Sequence, residues 1–185
     1  MAHHAKQSLI TADAARSTNP KCSLALEIRP RKAGFVVLEV TAATRLLDWG
    51  VRNYGDVRHE PIAGVKKIAA LFDFHSPGLV IIRQRSGLSK ETMNVIGAIQ
   101  QGILMEARRR CIECSVVEAK HVREFFGQYG CKAKYEVASI LAEWFEDLAW
   151  QLPPRRRIWQ SEAHAMLLFD AAAAGVTYLD VGPSN

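Results

Sequence analysis

The sequence has few cysteines and lacks a long uninterrupted apolar run. Four cysteines among 185 residues are too few and too scattered for a disulfide scaffold. Cys111 and Cys114 form a CxxC pair, but no second pair follows at the spacing of a zinc site. No apolar run approaches the roughly 18–20 residues that cross a bilayer, and no secretory apolar segment opens the chain. We therefore expect a soluble, cytoplasmic, globular protein without disulfides or a membrane segment.

The charge balance is basic. Lysine and arginine outnumber aspartate and glutamate by 24 to 19, which gives a net charge of +5 and a pI near 9.2. Such an excess favours polyanionic partners without identifying one. Residues 1–21 show no sustained periodicity, so we expect them to form a flexible tail and residues 22–180 to form one domain.

Apolar periodicity predicts an α/β domain with a mixed five-stranded sheet flanked by helices. The predicted strands span residues 24–28, 34–40, 44–54, 79–82 and 114–117, three antiparallel strands followed by two parallel ones. The predicted helices span residues 61–75, 89–110, 122–126, 134–150 and 161–178. This order of elements is typical of a single layered α/β domain.

Two acidic residues lie inside apolar segments. Glu27 stands between Leu26 and Ile28 in the first predicted strand, and Asp170 lies in the small, apolar helical stretch 168–175 (LFDAAAAG). Burying a carboxylate is costly unless a cation or hydrogen bonds compensate it. Each is therefore a candidate site residue. Alternatively, each lies at an edge, solvated or paired with an arginine.

Four segments in this order carry a family resemblance. They are residues 26–34 (LEIRPRKAG), with Glu27 seven residues before Gly34, residues 117–123 (VEAKHVR), residues 130–138 (GCKAKYEVA) and residues 169–175 (FDAAAAG). With these motifs, the chain from about residue 24 to residue 178 resembles the RuvC family of Holliday-junction resolvases, in the RNase H-like superfamily.

The resemblance implies an RNase H-like fold and magnesium-dependent hydrolysis of phosphodiesters in branched DNA, usually by a homodimer. It also implies that Glu27, in place of the family's first aspartate, and Asp170 are magnesium ligands. Such a site needs a cluster of acids, because two metal ions about 4 Å apart must activate a water and stabilise the leaving oxygen. Carboxylates are the side chains that magnesium prefers.

The sequence departs from the family pattern at two positions. Arg83 stands at the end of the fourth strand, where the family has an acid, and a cation cannot hold a metal. Leu167 stands three residues before Asp170, where the family has an acid or a histidine. The nearest polar substitutes are Glu162 and His164. If the helix is continuous, Glu162 lies about 12 Å along its axis from Asp170.

Two hypotheses follow from these departures. In the first, the chain is a RuvC-like crossover-junction endodeoxyribonuclease homologue with a degenerate metal site, in which Arg83 pairs with both carboxylates and the protein binds branched DNA. In the second, it is an active endonuclease whose catalytic residues are Glu27, Asp170 and either Glu162 or Glu118.

Basic segments beside these motifs predict a DNA-binding surface. Residues 29–32 (RPRK) lie at the lip of the predicted site, and residues 155–157 (RRR) precede Trp159. The predicted DNA-binding side chains are Arg31, Lys32, Lys120, Lys132, Lys134, Arg155, Arg156 and Arg157. Taken singly, each run also suits a solvated face or a helix cap. Together with the resemblance, they favour nucleic acid.

A third hypothesis is a dimeric interaction module. The helix at residues 89–110 carries an apolar side formed by Met93, Ile96, Ile99 and Ile103. These residues either pair two subunits or pack against the sheet of their own chain.

Overall fold

The computed structural model describes residues 22–41, 44–57, 60–155 and 163–182, and a five-stranded sheet forms their centre. The strands are β1 (Cys22–Ile28), β2 (Lys32–Val40), β3 (Thr44–Asn53), β4 (Leu79–Gln84) and β5 (Glu113–Glu118). Their order is β3-β2-β1-β4-β5, with β1, β2 and β3 antiparallel and β4 and β5 parallel to β1. The predicted mixed sheet is confirmed.

Helices cover both faces of the sheet. They are α1 (Pro61–His75), α2 (Lys90–Arg109), α3 (Ala119–Gly127), α4 (Lys134–Trp144), α5 (Glu146–Ala149) and α6 (Met166–Val181). The first two pack on one face, and the others form the core on the opposite face. Within the described ranges, no helix is long and apolar enough to cross a membrane.

Successive side chains of β1 point to opposite faces of the sheet and therefore join different parts of the core. Leu24 and Leu26 join the core beneath α1 and α2, whereas Ala25 joins the core beneath α6. Because successive strand residues point to opposite faces, Glu27 points to the same side as Ala25. A carboxylate is thereby directed toward α6 from a strand that is otherwise apolar and buried.

Three helices have boundaries that differ from the predicted ones, and one of them, α3, begins at Ala119 instead of Val122. The predicted helix 134–150 is interrupted at Phe145, whose backbone is extended (φ −118°, ψ 96°) and whose side chain is buried in the α6-side core. The last helix begins at Met166, because the preceding described residues form turns. The amide of Met166 bonds to the carbonyl of Ala163 at 3.1 Å, and that of Leu167 bonds to the carbonyl of His164 at 3.1 Å.

Two apolar residues do not lie where the sequence pattern places them. Between β2 and β3 the register shifts, so that Leu47 is an additional residue between the paired residues Leu46 and Asp48, and it is 46% exposed. On α2, Met93 is also half exposed, whereas Ile96, Ile99 and Ile103 are buried against α1 and the sheet. The apolar side of α2 thus packs within its own chain, and a dimer through those isoleucines is not supported.

A glycine allows α6 to approach the sheet closely. Gly34 pairs with Glu27 across β1 and β2, and a Cβ atom at position 34 would lie 2.4 Å from the carbonyl oxygen of Leu167 on α6. Real Cβ atoms do not approach backbone atoms so closely. The backbone contact at Gly34 therefore holds the first turn of α6 against β2, next to Glu27.

We expect Gly34→Ala to destabilise the protein by about 3 kcal/mol, because α6 must move away from β2 to admit the added methyl group. Urea unfolding measures this change. The matched control is Gly97→Ala, in the middle of α2, where a Cβ meets no atom within 4 Å and should stabilise the helix by about 0.5–1 kcal/mol. Equal stabilities for the two variants would contradict the close approach of α6.

Candidate functional site

Two buried carboxylates, one from β1 and one from α6, share a guanidinium. Glu27 is 0% exposed and Asp170 is 4% exposed. The Nη1 atom of Arg83 lies 3.3 Å from Oε2 of Glu27 and 3.1 Å from Oδ1 of Asp170. The structure therefore brings both predicted acids together on one side of the sheet, with Arg83 bridging them.

Three further cations complete this group. Arg29 contacts both acids, with Nε 3.0 Å from Oε1 of Glu27 and Nη2 3.4 Å from Oδ2 of Asp170. Arg85 donates from Nη1 to Oε1 of Glu27 at 3.3 Å. Lys134 places Nζ 2.5 Å from Oδ2 of Asp170. We call these residues the acid–base cluster: Glu27, Arg29, Arg83, Arg85, Lys134 and Asp170. With both carboxylates ionised, the cluster carries two positive charges in excess.

Strand geometry explains why these residues meet. Arg29 stands two residues after Glu27 and one past the end of β1, and Arg85 stands two residues after Arg83 and one past the end of β4. β1 and β4 are parallel neighbours, with Leu26 opposite Ile82, so both pairs leave the same end of the sheet side by side. Arg29 belongs to the basic segment 29–32 that was predicted at the lip of the site, but its contact with the acids was not predicted. Arg85 was not predicted as a site residue, although its spacing of two from Arg83 is visible in the sequence.

Tyr54 anchors the turn that carries Arg29. Its hydroxyl lies within hydrogen-bond distance of the backbone carbonyl of Arg29, and 2.8 Å from that of Lys32. Burial raises the pKa of the Tyr54 phenol, so the group stays protonated and can donate. The turn between β1 and β2 is thus tied to the segment that follows β3.

The cluster perturbs the ionisation of Glu27. Burial and the neighbouring charge of Asp170 raise the pKa of Glu27 to about 7, against the lowering effect of Arg83, Arg29 and Lys134. Removing a carboxylate from water therefore outweighs the attraction of its cationic neighbours. Glu27 is poised to exchange a proton near neutral pH.

A magnesium site does not fit these residues. Magnesium takes oxygen ligands at about 2.0–2.1 Å in octahedral geometry, whereas here a guanidinium occupies the space between the two carboxylates. Among the residues that the structure describes, no three acidic, histidine or cysteine side chains form a group able to hold a metal. Glu118 is exposed at the end of β5, and Glu162 lies outside the described residues.

A pocket of about 180 Å³ opens beside the cluster, between α3, α4 and α6. Its cationic lining residues are Arg83, Arg123, Lys132 and Lys134, and its apolar ones include Val122, Phe126, Val137 and Phe169. The carboxylate of Glu136 accepts the backbone N–H groups of Lys132 at 2.7 Å and Ala133 at 3.0 Å, which holds the start of α4 beside the pocket. Lys132 and Lys134 are thus placed at its rim.

The other predicted DNA-binding residues are more dispersed. Arg31 and Arg155 are exposed, and Lys32 is half-buried. Lys120 is 65% exposed and lies 3.9 Å from Glu124, one turn along α3. Arg156 and Arg157 lie outside the described residues, as does the predicted tail at residues 1–21. Arg123 lines the pocket but was not predicted from the sequence.

The fold of this chain is similar to that of solved structures of resolvases. No protein-family model and no curated protein matches the sequence. Among solved structures, the chain is similar to RuvC of Thermus thermophilus in complex with a Holliday junction substrate, with TM-score 0.67 and 16% identity over 87% of this chain and 94% of that one. The chain has the RuvC fold.

Two further structures support the same assignment. A second Thermus thermophilus RuvC structure gives TM-score 0.65 and 19% identity over 88% of this chain and 97% of that one. The yeast mitochondrial Holliday junction resolvase Ydc2 gives TM-score 0.64 and 9% identity over 87% of this chain and 80% of that one. At these identities the likeness establishes the fold, so the resemblance stated from the sequence motifs is confirmed at that level.

The raised pKa of Glu27 predicts a specific pH dependence. Because folded Glu27 binds its proton more tightly than unfolded Glu27, whose pKa is 4.5, its contribution to stability declines as pH rises from about 4.5 to about 7. Glu27→Gln removes this titration. The unfolding free energy of the variant minus that of the wild type should therefore rise from pH 5 to pH 7, by at most about 1.4 kcal/mol per pH unit.

Chemical denaturation at a series of pH values measures this difference. Glu143→Gln, at an exposed acid on α4 outside the cluster, serves as the control variant. A difference for Glu27→Gln that falls as pH rises would show that the surrounding guanidinium groups dominate the ionisation of Glu27.

Proposed function

We propose that this chain binds branched DNA through its RuvC fold without hydrolysing it, and that the Arg83 guanidinium substitutes structurally for catalytic metal ions. Two structures with the same fold support the choice of ligand. The Thermus thermophilus RuvC and a fowlpox virus resolvase were each solved with Holliday junction DNA. The fowlpox resolvase matches with TM-score 0.54 and 11% identity, over 86% of this chain and 97% of that one.

The bridging contact of Arg83 carries the proposal. A guanidinium within 3.3 Å of Glu27 and 3.1 Å of Asp170 occupies the space between the two acids and pairs with both of them. Unlike a metal ion, the guanidinium cannot coordinate a water molecule or lower the pKa of that water. Leu167, buried at the position where the resemblance implies a further acid, adds no ligand.

The charge of the cluster suits a phosphate backbone. Its cations exceed its carboxylates by two, and Lys134 remains 36% exposed at the surface. The Nε atom of Arg83 is buried and has no hydrogen-bond acceptor in the described part of the chain. The cluster thus attracts an anion where a metal-dependent nuclease attracts a cation. Phosphate contacts of this kind provide affinity that falls with salt.

The resemblance also implies that two copies act together on one junction, and we retain the homodimer as part of the proposal. Its contacts must lie elsewhere than the buried isoleucines of α2. Sedimentation velocity with and without a four-way junction distinguishes one bound copy from two.

We expect the wild-type chain to bind a four-way junction at least tenfold more tightly than a linear duplex of the same length, and to leave it uncut in magnesium or manganese. Filter binding at several salt concentrations measures the first property, and denaturing gels measure the second. Equal affinity for both DNAs would contradict the proposed ligand. Metal-dependent cleavage that disappears in Asp170→Asn would contradict the proposed lack of hydrolysis.

We further expect Arg83→Glu to gain saturable magnesium binding, because it replaces the bridging cation with a third oxygen ligand beside Glu27 and Asp170. The readout is a rise in melting temperature with magnesium concentration. Arg83→Gln, which removes the cation without adding a carboxylate, is the matched control and should bind more weakly. A wild-type chain that already shows the full response would mean that Arg83 does not obstruct the metal.

A further inference from the structure

The pocket beside the acid–base cluster combines two kinds of surface. Its inner wall is apolar and includes Phe126 and Phe169, which are 0% and 2% exposed, together with Val122 at 4%. Its rim is cationic, with Arg123 and Lys132 exposed at the mouth. An apolar cavity with a basic rim matches a ligand that has a flat apolar part and an attached anion.

The size of the pocket limits the apolar part. A dry cavity of about 150 Å³ lined by apolar side chains holds a benzene ring, and this pocket has about 180 Å³. It therefore has room for one planar ring system. It has no room for a stacked pair of bases or a folded peptide.

The polar lining selects against a cationic ligand. Asp170 is the one acid among the lining residues of this pocket, and its carboxylate is already engaged by Arg83 and Lys134. Cys131 also lines the pocket. Burial, with the charges of Glu136 and Glu143, raises the pKa of its thiol, so it contributes a neutral and weakly polar surface. The pocket thus offers positive charge at its mouth and apolar contact inside.

We propose that this pocket receives one unstacked base of branched DNA, with the adjoining phosphate held by Lys132, Lys134 and Arg123. The inference rests on the proposed function and adds to it a mode of recognition. A base next to an open branch point is stacked on one side only, so unstacking it costs less than unstacking a base inside a continuous duplex. A protein that captures one of them distinguishes a branch from a continuous duplex without reading its sequence.

Filling the pocket with a side chain and removing the base from the DNA should reduce the affinity for the junction to the same extent. Ala133→Phe places an aromatic ring at the mouth from an exposed position with extended backbone, whereas Ala149→Phe adds the same ring at an exposed position on α5, outside the pocket. The DNA is a four-way junction with either intact or abasic nucleotides at the branch. Fluorescence anisotropy gives the affinity of each of the two variants for the intact and for the abasic junction.

The wild type and Ala149→Phe should each lose about tenfold in affinity when the branch nucleotides are abasic, the size of a single base–aromatic contact. Ala133→Phe should already be about tenfold weaker on the intact junction and should lose nothing more on the abasic one. Lys132→Gln should reduce the salt dependence of binding relative to Lys66→Gln, a change at an exposed lysine on α1. Near-ultraviolet circular dichroism verifies that each variant is folded.

The possible failures are distinguishable. If the wild type prefers the junction but abasic substitution has no effect, the base-capture inference is wrong and the proposed function stands. If the wild type shows no preference for the junction, both are wrong. If free thymidine monophosphate binds saturably and Ala133→Phe abolishes that binding while abasic substitution has no effect, the pocket serves a free nucleotide and its assignment to branched DNA is overturned.

Discussion

The contact of one guanidinium with two buried carboxylates is the interaction on which the rest of this site depends. Glu27 and Asp170 lie at 0% and 4% exposure, where an uncompensated negative charge would be very costly. Arg83 reaches both from β4, because its Nη1 atom lies within 3.3 Å of a carboxylate oxygen of each. The same contact joins the central strands to α6, so the charge pairing and the packing of the last helix stabilise each other.

Strand pairing brings the residues of that contact together independently of their charges. Parallel pairing of β1 with β4 brings Glu27 and Arg83 to the same end of adjacent strands. Because Gly34 has no Cβ atom, the backbone of α6 lies closer to β2 than any other residue at this position would allow. A binding site between strand ends and a helix is the common location in open α/β sheets. In this chain the side chains at that location are two carboxylates and four cations.

The acid–base cluster and the pocket form one positively charged surface, because they share residues. Lys134 contacts Asp170 on one side and lines the pocket on the other, and Arg83 belongs to both. An excess of cations at a largely desolvated position acts more strongly on a phosphate than the same charges spread over an exposed face. The exposed basic residues elsewhere, such as Lys120 and Arg155, can add only screened attraction.

The order of elements and the two buried acids were predictable from the sequence, because apolar periodicity and a charge inside an apolar segment are local signals. Arg83 was recognised only through the family resemblance, as a cation at a position where the family has an acid. Tertiary structure alone decided that Arg29, Arg85 and Lys134 join them, since that depends on the register of parallel strands and on where α4 begins. It also decided the break at Phe145 and the additional residue at Leu47. At Phe145 and at Leu47, long-range packing and strand pairing override the local periodicity. These long-range contacts leave no signal in a short stretch of sequence.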